Sequence, residues 1–254
     1  LNNTEGGHGV SIIVCTNRSQ FFDNILTNFK RQRYRSKELI IILNHDGMNL
    51  ESYRNRVRGH ANIHVYQVPE RISLGQCLNA GIERARYSLI AKFDDDDYYS
   101  AYYLKEQVGA LKRTRSDIVG KHSCLVYLGA SKKLLIRSPK EASKFVEFVQ
   151  GGTILFKKEV LKKVRFTDRS VGEDVTFLRQ CRKKGFKTYA TSPYNYVYHR
   201  RQNKKSHTWK ADDTFYLQGS KLLTVTDQFR PFVRQGNLKG DIHEVKRRSC
   251  ERHI

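Results

Sequence analysis

The chain has few of the residues that staple a small protein or divide a large one. Four prolines in 254 residues exclude a Pro-rich hinge. The five cysteines, Cys15, Cys77, Cys124, Cys181 and Cys250, are odd in number and widely spaced. No C-x-x-C occurs, so neither a disulfide framework nor a zinc site follows. Cys15 and Cys181 fall in apolar and helical patterns and read as core thiols, which favours a reducing compartment. No apolar run approaches the roughly 18 residues that cross a membrane, and no signal peptide is read. Repeats and low-complexity tracts are absent, as are zinc-finger, homeodomain and RNA-reading patterns. Acidic residues are scarce too: 25 Asp and Glu stand against 47 Lys and Arg, a net charge of +22. That excess predicts attraction to phosphate, anionic polymer or an anionic lipid surface.

What is present suits one large α/β domain. Hydrophobic residues make up 39%, enough for a real core. Residues 1–9, LNNTEGGHG, read as a flexible leader. Short apolar runs follow at Val10–Cys15, Leu39–Leu43, Ile63–Val68 and Ser88–Phe93; each reads as a strand. Between them lie an amphipathic segment from Ser19 to about Lys30 and a helical pattern from Ser73 to Arg86, with Leu74, Leu78, Ile82 and Ala85 on one face. A further helix carries Leu104, Val108 and Leu111. This βαβαβ alternation predicts a Rossmann-like, mostly parallel sheet flanked by helices. Later expectations are strands at Cys124–Leu128 and Thr153–Phe156 and a short helix at Lys157–Lys163. A helix over Glu173–Lys184 should end at Gly185, with Tyr189–His199 extended and a last helix over Trp209–Leu223. Residues 224–254 read as a basic C-terminal tail, helical if it completes the core through Val225, Phe229, Phe232 and Val233.

The most informative feature is four consecutive aspartates, Asp94, Asp95, Asp96 and Asp97, just beyond the strand that ends at Phe93. Adjacent carboxylates repel, and a hard cation such as Mg²⁺, Mn²⁺ or Ca²⁺ relieves the repulsion. Ligands of open α/β sheets bind beyond the carboxyl ends of strands. The competing reading is a solvated acidic turn that caps the following helix. Two polar turns share that sheet edge, Cys15-Thr16-Asn17-Arg18 and Asn44-His45-Asp46-Gly47. Thr16 and Asp46 can hydrogen-bond a base or ribose, although strand exits often carry such residues. Taken with the acidic turn, they describe a pocket for a nucleotide diphosphate.

The segments VSIIVCTNR, ELIIILNHDG, SLGQCLNAGIERARYSLIAKFDDDDYY, GGTILFKKEV, GEDVTFLRQCRKKG and YVYHRR occur in an order that resembles family 2 glycosyltransferases of the GT-A fold. Relatives of that family include bacterial spore-coat and cell-surface polysaccharide transferases. The resemblance runs from about Val10 to Leu223, so residues 10–223 are expected to be the GT-A catalytic domain. It implies an Asp-x-Asp-Asp metal turn at Asp94, Asp96 and Asp97, with Asp96 as direct ligand. Asp94 would contact metal, ribose, sugar or metal-bound water, and Asp95 would join the nucleotide-sugar contacts with Thr16, Asn17 and Asp46. The family's Asp-Asp-Gly after the second strand is here His45-Asp46-Gly47, one acid short. Glu173-Asp174 matches the Glu-Asp motif, with Asp174 as the general base; acids in a first helical turn also serve as caps. Gly151 and Gly152 would line the donor or acceptor pocket, or simply turn the chain. Arg71 could reach the diphosphate, or lie on the surface. His199 matches a metal- or phosphate-contacting position in some relatives, or is structural. His207 and Trp209 would belong to a closing lid.

The resemblance therefore implies a metal-dependent, inverting transferase using Mn²⁺ or Mg²⁺. A sugar would pass from a nucleotide-diphosphate donor, UDP- or dTDP-linked, to a surface glycan or glycoconjugate. Self-association, contact with an anionic surface and no sequence-specific nucleic acid are the expected partner pattern. The expected location is cytoplasmic, at the periphery of a membrane or spore surface. An inactive GT-A scaffold and a polyanion-binding protein are the competing readings.

Overall fold

The computed structural model describes residues 9–201 and 213–234. The expected leader, apart from Gly9, lies outside those residues, as do His207, Trp209, Cys250 and the tail beyond Arg234. The chain order is β1 (Val10–Thr16), α1 (Phe22–Arg31), β2 (Lys37–Leu43), α2 (Leu50–Arg56), β3 (Ile63–Gln67), α3 (Leu74–Glu83), β4 (Leu89–Lys92), β5 (Tyr98–Tyr99) and α4 (Tyr103–Thr114). It continues through β6 (Ile118–Gly120), β7 (Cys124–Leu128), β8 (Lys133–Arg137), β9 (Lys144–Phe145), β10 (Leu155–Lys157), α5 (Glu173–Lys183), β11 (Thr188–Ala190), β12 (Tyr196–Arg200), α6 (Asp213–Leu217) and β13 (Ser220–Val225).

Two sheets form. The larger has strand order β3-β2-β1-β4-β10-β6-β11-β9. Its first four strands are parallel, and β10 runs antiparallel between β4 and β6. The central strands read as nearly unbroken apolar runs because both faces are covered. Val10, Ile12 and Val14 pack with α1 residues Phe22, Ile25 and Phe29 on one side. Ile13, Ile40 and Ile42 pack with Leu78 and Ile82 of α3 on the other. Ser73 caps α3, its hydroxyl accepting from the Gln76 N–H at 3.4 Å. A Cβ at Gly81 would lie 2.6 Å from Ile13, so a bare backbone there lets α3 sit close on the sheet.

The smaller sheet has order β13-β8-β7-β12-β5. One face shares the main core through Val126, Leu135 and Tyr196. The other carries Leu125, Leu134, Ile136, Val197 and Val233, with Phe229 and Phe232 packed against them.

Several expectations change. Strand β8 and helix α2 were not read from the sequence. The 3-10 helix Gly151–Thr153 occupies the start of the expected Thr153–Phe156 strand. The short helix expected at Lys157–Lys163 is present as a 3-10 helix over Lys158–Lys162. The single helix expected over Trp209–Leu223 is replaced, where described, by the short α6 and the strand β13. Thr224 and Val225 pair with Leu134 and Lys133, so β13 runs through the expected 223/224 boundary. Beyond it the described tail forms a 3-10 helix at Arg230–Val233, not an α-helix. α5 ends as expected, with Gly185 at a φ of +82°, the left-handed conformation that glycine takes at helix ends.

Candidate active site

A cavity of about 550 Å³ opens beyond the carboxyl ends of β1 and β4. Its lining brings together Thr16, Asn17, Asp94, Asp95, Asp96, Gly151, Gly152, Glu173 and Asp174. Asp46, Arg71, Asp97 and His199 are not part of it. Asp46 lies on the exposed turn, where its carboxylate accepts from the Glu70 N–H at 3.2 Å; Asn44 lines the cavity instead. Arg71 is exposed.

The four aspartates alternate in role because the turn faces two ways. Asp97 is 1% exposed. Its carboxylate accepts from the Tyr196 hydroxyl at 2.5 Å and the His199 N–H at 3.1 Å. It therefore anchors the turn from below, where burial and its Asp96 and Asp94 neighbours push its carboxyl well above the usual range. The His199 ring packs at 5.4 Å from Tyr127 and 5.6 Å from Phe229, between centroids. Neither residue lines the cavity. Asp95, also buried, accepts from Thr16 Oγ1 at 2.6 Å and pairs with Arg18. Burial and the adjacent Asp96 raise its carboxyl to about 6, with Arg18 and Thr16 opposing. Asp96 meets Arg201 at 2.9 Å and Arg18 at 3.2 Å.

Asp94 meets Lys92, a residue the sequence reading passed over. Lys92 is 5% exposed and its Nζ lies 2.5 Å from Asp94 Oδ1. Burial alone would push its ammonium down. Asp94, Glu173 and Asp174 outweigh that and hold it above its ordinary value. A lysine inside an otherwise apolar strand, SLIAKF, was the signal available in the sequence.

The turn is held by α1. Asn24 Nδ2 donates to the carbonyls of Asp95 and Asp97 at 2.7 and 3.0 Å. Asn28 Nδ2 donates to Asp97 O at 2.8 Å, and Gln32 Nε2 to Ser100 O at 2.8 Å. Residues 24, 28 and 32 recur every four positions, one above another on a helix. Amides on that stripe were legible as a pattern but not as a site. The Tyr99 hydroxyl accepts from the Asp94 N–H at 2.8 Å and donates to Gly152 O at 2.6 Å.

That last bond ties the acidic turn to the Gly151-Gly152 segment. A Cβ on Gly152 would lie 2.6 Å from Asp94 Oδ2, and one on Gly151 would run into Asp174. The two glycines thus separate the acidic turn from the Glu-Asp motif with nothing but backbone. Gly172, at a φ of +75°, turns the chain into α5. Asp174 then lines the cavity, with Oδ1 accepting from the Val175 N–H at 2.7 Å, beside Glu173, which is 5% exposed. Burial raises the Glu173 carboxyl to about 7; Asp174 adds to this and Lys92 opposes it.

Hard oxygen donors suit Mg²⁺ or Mn²⁺, which commonly bind one or two carboxylates plus substrate phosphates. The cavity-lining Asp94 and Asp96 fit that mode. Among the described residues, no group of three or more His, Cys, Asp and Glu side chains forms an all-protein cage.

Comparison with known proteins gives the arrangement a family. Residues 11–126 match the model of Glycosyl transferase family 2. The poly-beta-1,6-N-acetyl-D-glucosamine synthase of Staphylococcus aureus is 25% identical over 191 residues, covering 69% of this chain and 46% of that protein. This chain thus spans about half the length of the curated relatives it matches. Among solved structures, S. aureus TarS 1-349 in complex with UDP-GlcNAc superposes with a TM-score of 0.62 at 18% identity, covering 79% of this chain and 62% of the 1-349 chain. The mannosyltransferase PcManGT from Pyrobaculum calidifontis, in complex with GDP-Man and Mn²⁺, gives 0.59 at 20% identity, covering 77% and 58%. Motif order, sheet topology and the family match agree: residues 11–126 match glycosyltransferase family 2, and the chain has the GT-A fold.

Proposed function

We propose that the chain transfers a sugar from a nucleotide-diphosphate donor to a glycan or glycoconjugate hydroxyl, with a divalent metal and inversion at the anomeric carbon. The observation that carries this reading is the single cavity joining Asp94 and Asp96, the bare Gly151-Gly152 backbone and Asp174. Thr16, Asn17 and Asn44 offer hydrogen bonds to the nucleoside at one end. Asp174 takes the proton of the acceptor hydroxyl as its oxygen attacks the anomeric carbon and the nucleotide diphosphate departs. Lys92 holds Asp94 in place, and Asn24 and Asn28 fix the turn. Asp94 and Asp96 would hold a divalent ion, which would supply positive charge for the departing nucleotide diphosphate. Relatives named for UDP-GlcNAc, GDP-Man and poly-N-acetylglucosamine support a nucleotide-sugar donor and a glycan product, with UDP or dTDP favoured here. No described helix is long and apolar enough to cross a membrane; peripheral contact with an anionic surface and a cytoplasmic location complete the proposal.

A second reading has one observation behind it. Lys92, Arg18 and Arg201 already pair with Asp94, Asp95 and Asp96, as in a scaffold that binds without transferring. Release of nucleotide diphosphate from UDP-sugars with Mn²⁺, lost on chelation, supports the enzyme; none with any nucleotide sugar leaves the scaffold. In the active protein, Asp96→Ala should weaken metal-dependent UDP binding at least tenfold by calorimetry. Unchanged UDP and Mn²⁺ affinity would remove Asp96 from the site.

A further inference from the structure

Three cations line the cavity among the described residues, Arg18, Lys92 and Arg137. Two are committed to carboxylates, Arg18 to Asp95 and Asp96 and Lys92 to Asp94. Arg137 has no carboxylate partner among the described residues. It ends β8, opposite Cys124 and Ser220 in the neighbouring strands. Its guanidinium carbon lies 4.5 Å from the Phe215 ring centroid and 5.4 Å from that of Tyr216. Both rings belong to α6, and Tyr216 itself lines the cavity with Tyr198.

Two rings against one guanidinium restrict its freedom and leave its N–H edge for a ligand. A planar fork of donors matches the oxygens of a phosphate, and it binds most strongly when it is not already paired. The charge of the cavity points the same way. The acidic turn uses up its own cations, so a phosphate entering beside it needs another.

We propose that Arg137, clamped by Phe215 and Tyr216, is a phosphate-recognition residue of this cavity. The phosphate belongs to the donor diphosphate or to a phosphorylated acceptor; that choice of source rests on the transferase reading, whereas phosphate recognition by Arg137 does not.

Calorimetry on the full chain tests it, with inorganic pyrophosphate, UDP and uridine as probes. The wild type should bind pyrophosphate. Arg137→Met should weaken pyrophosphate and UDP about 10–100-fold, the size of a lost charged hydrogen bond, and leave uridine unchanged. Arg137→Lys, which keeps charge but not the fork, should fall between. Phe215→Ala, on an exposed ring, should weaken binding about two- to fivefold. Unshifted thermal unfolding separates these losses from damage to the fold. If UDP affinity is unchanged but UDP-saturated protein binds glucose 1-phosphate only with Arg137 present, the phosphate is the acceptor's. Overturning results are a wild type that binds neither pyrophosphate nor glucose 1-phosphate, or affinities for both that Arg137→Met leaves intact. Pyrophosphate binding that depends on Arg137, without sugar transfer, would retain this site and reject the transferase reading.

Discussion

At the scale of single residues, Glu173 and Asp174 show how neighbours in sequence separate in role. Both line the cavity, but Asp174 is the more open of the two, whereas Glu173 is buried and feels the charge of Lys92. Asp174→Asn should lower transfer about 10²–10⁴-fold, the usual worth of a general base, while nucleotide affinity stays within a few-fold. Parallel titrations and initial rates check this. Equal loss of binding, rate and folding would make Asp174 a helix cap. Glu173 carries a pH signature. Its carboxyl is raised from an ordinary 4.5 to about 7 in the folded chain, so the folded state holds its proton longer than the unfolded state. Below pH 4.5 both states are protonated and Glu173 contributes no pH dependence. Between about 4.5 and 7 stability falls as pH rises, by on the order of 3 kcal/mol, and the penalty is complete above 7. Glu173→Gln should flatten that part of the profile. Thermal unfolding at pH 5 and pH 8 measures it, and an unchanged slope would reject the assignment.

At the scale of elements, the acidic turn is positioned by helix α1 and by the Gly151–Thr153 3-10 helix, neither adjacent to it in sequence. Tyr99 joins the two sides, stacked on Phe93 with centroids 3.7 Å apart. Gly152→Ala puts a methyl against a carboxylate that Lys92 already holds. The expected cost is about 1–3 kcal/mol of stability, the range for overpacking, with weaker metal-dependent UDP binding. Thermal unfolding and UDP titration would show both; a variant equal to wild type in each would mean that the turn moves freely.

At the scale of the whole molecule, the second sheet closes the cavity on the side of Tyr196, Tyr198 and Tyr216 and needs the chain beyond residue 223 to do so. Val233 is buried, and Phe229 packs edge-on or tilted against Tyr98, Tyr127 and His199. Full burial of a large apolar side chain is worth about 1.5–3 kcal/mol. Ending the chain after Leu223 discards the buried Val233 and the partly buried Phe229 and Phe232, and breaks β13. An insoluble or strongly destabilised product is expected, whereas ending after Arg234 should preserve the fold. Solubility and thermal unfolding of the two truncations decide; a stable, active 1–223 fragment would make this edge dispensable.

The sequence by itself determined the parallel half of the fold and the acidic side of the site. Buried strands such as VSIIVC and LIIIL and the amphipathic period of α3 report burial directly, because local periodicity follows from which face is covered. The order of motifs then carried Asp94, Asp96, Gly151, Gly152 and Asp174 to one cavity. Tertiary structure alone decided the rest. Which aspartate faces the cavity depends on the fold of a turn held by residues 24 and 28, about 70 positions earlier. The placement of Asp97 and His199 beneath it depends on β12 pairing with β5. The exchange of an expected last helix for β13 depends on β8, whose open edge offers hydrogen bonds that no local pattern in residues 220–225 announces. Lys92 and Arg137 stood in plain sight as two of 47 basic residues. Only packing distinguishes a lysine buried near three carboxylates, or an arginine set against two rings, from the solvated charges around them.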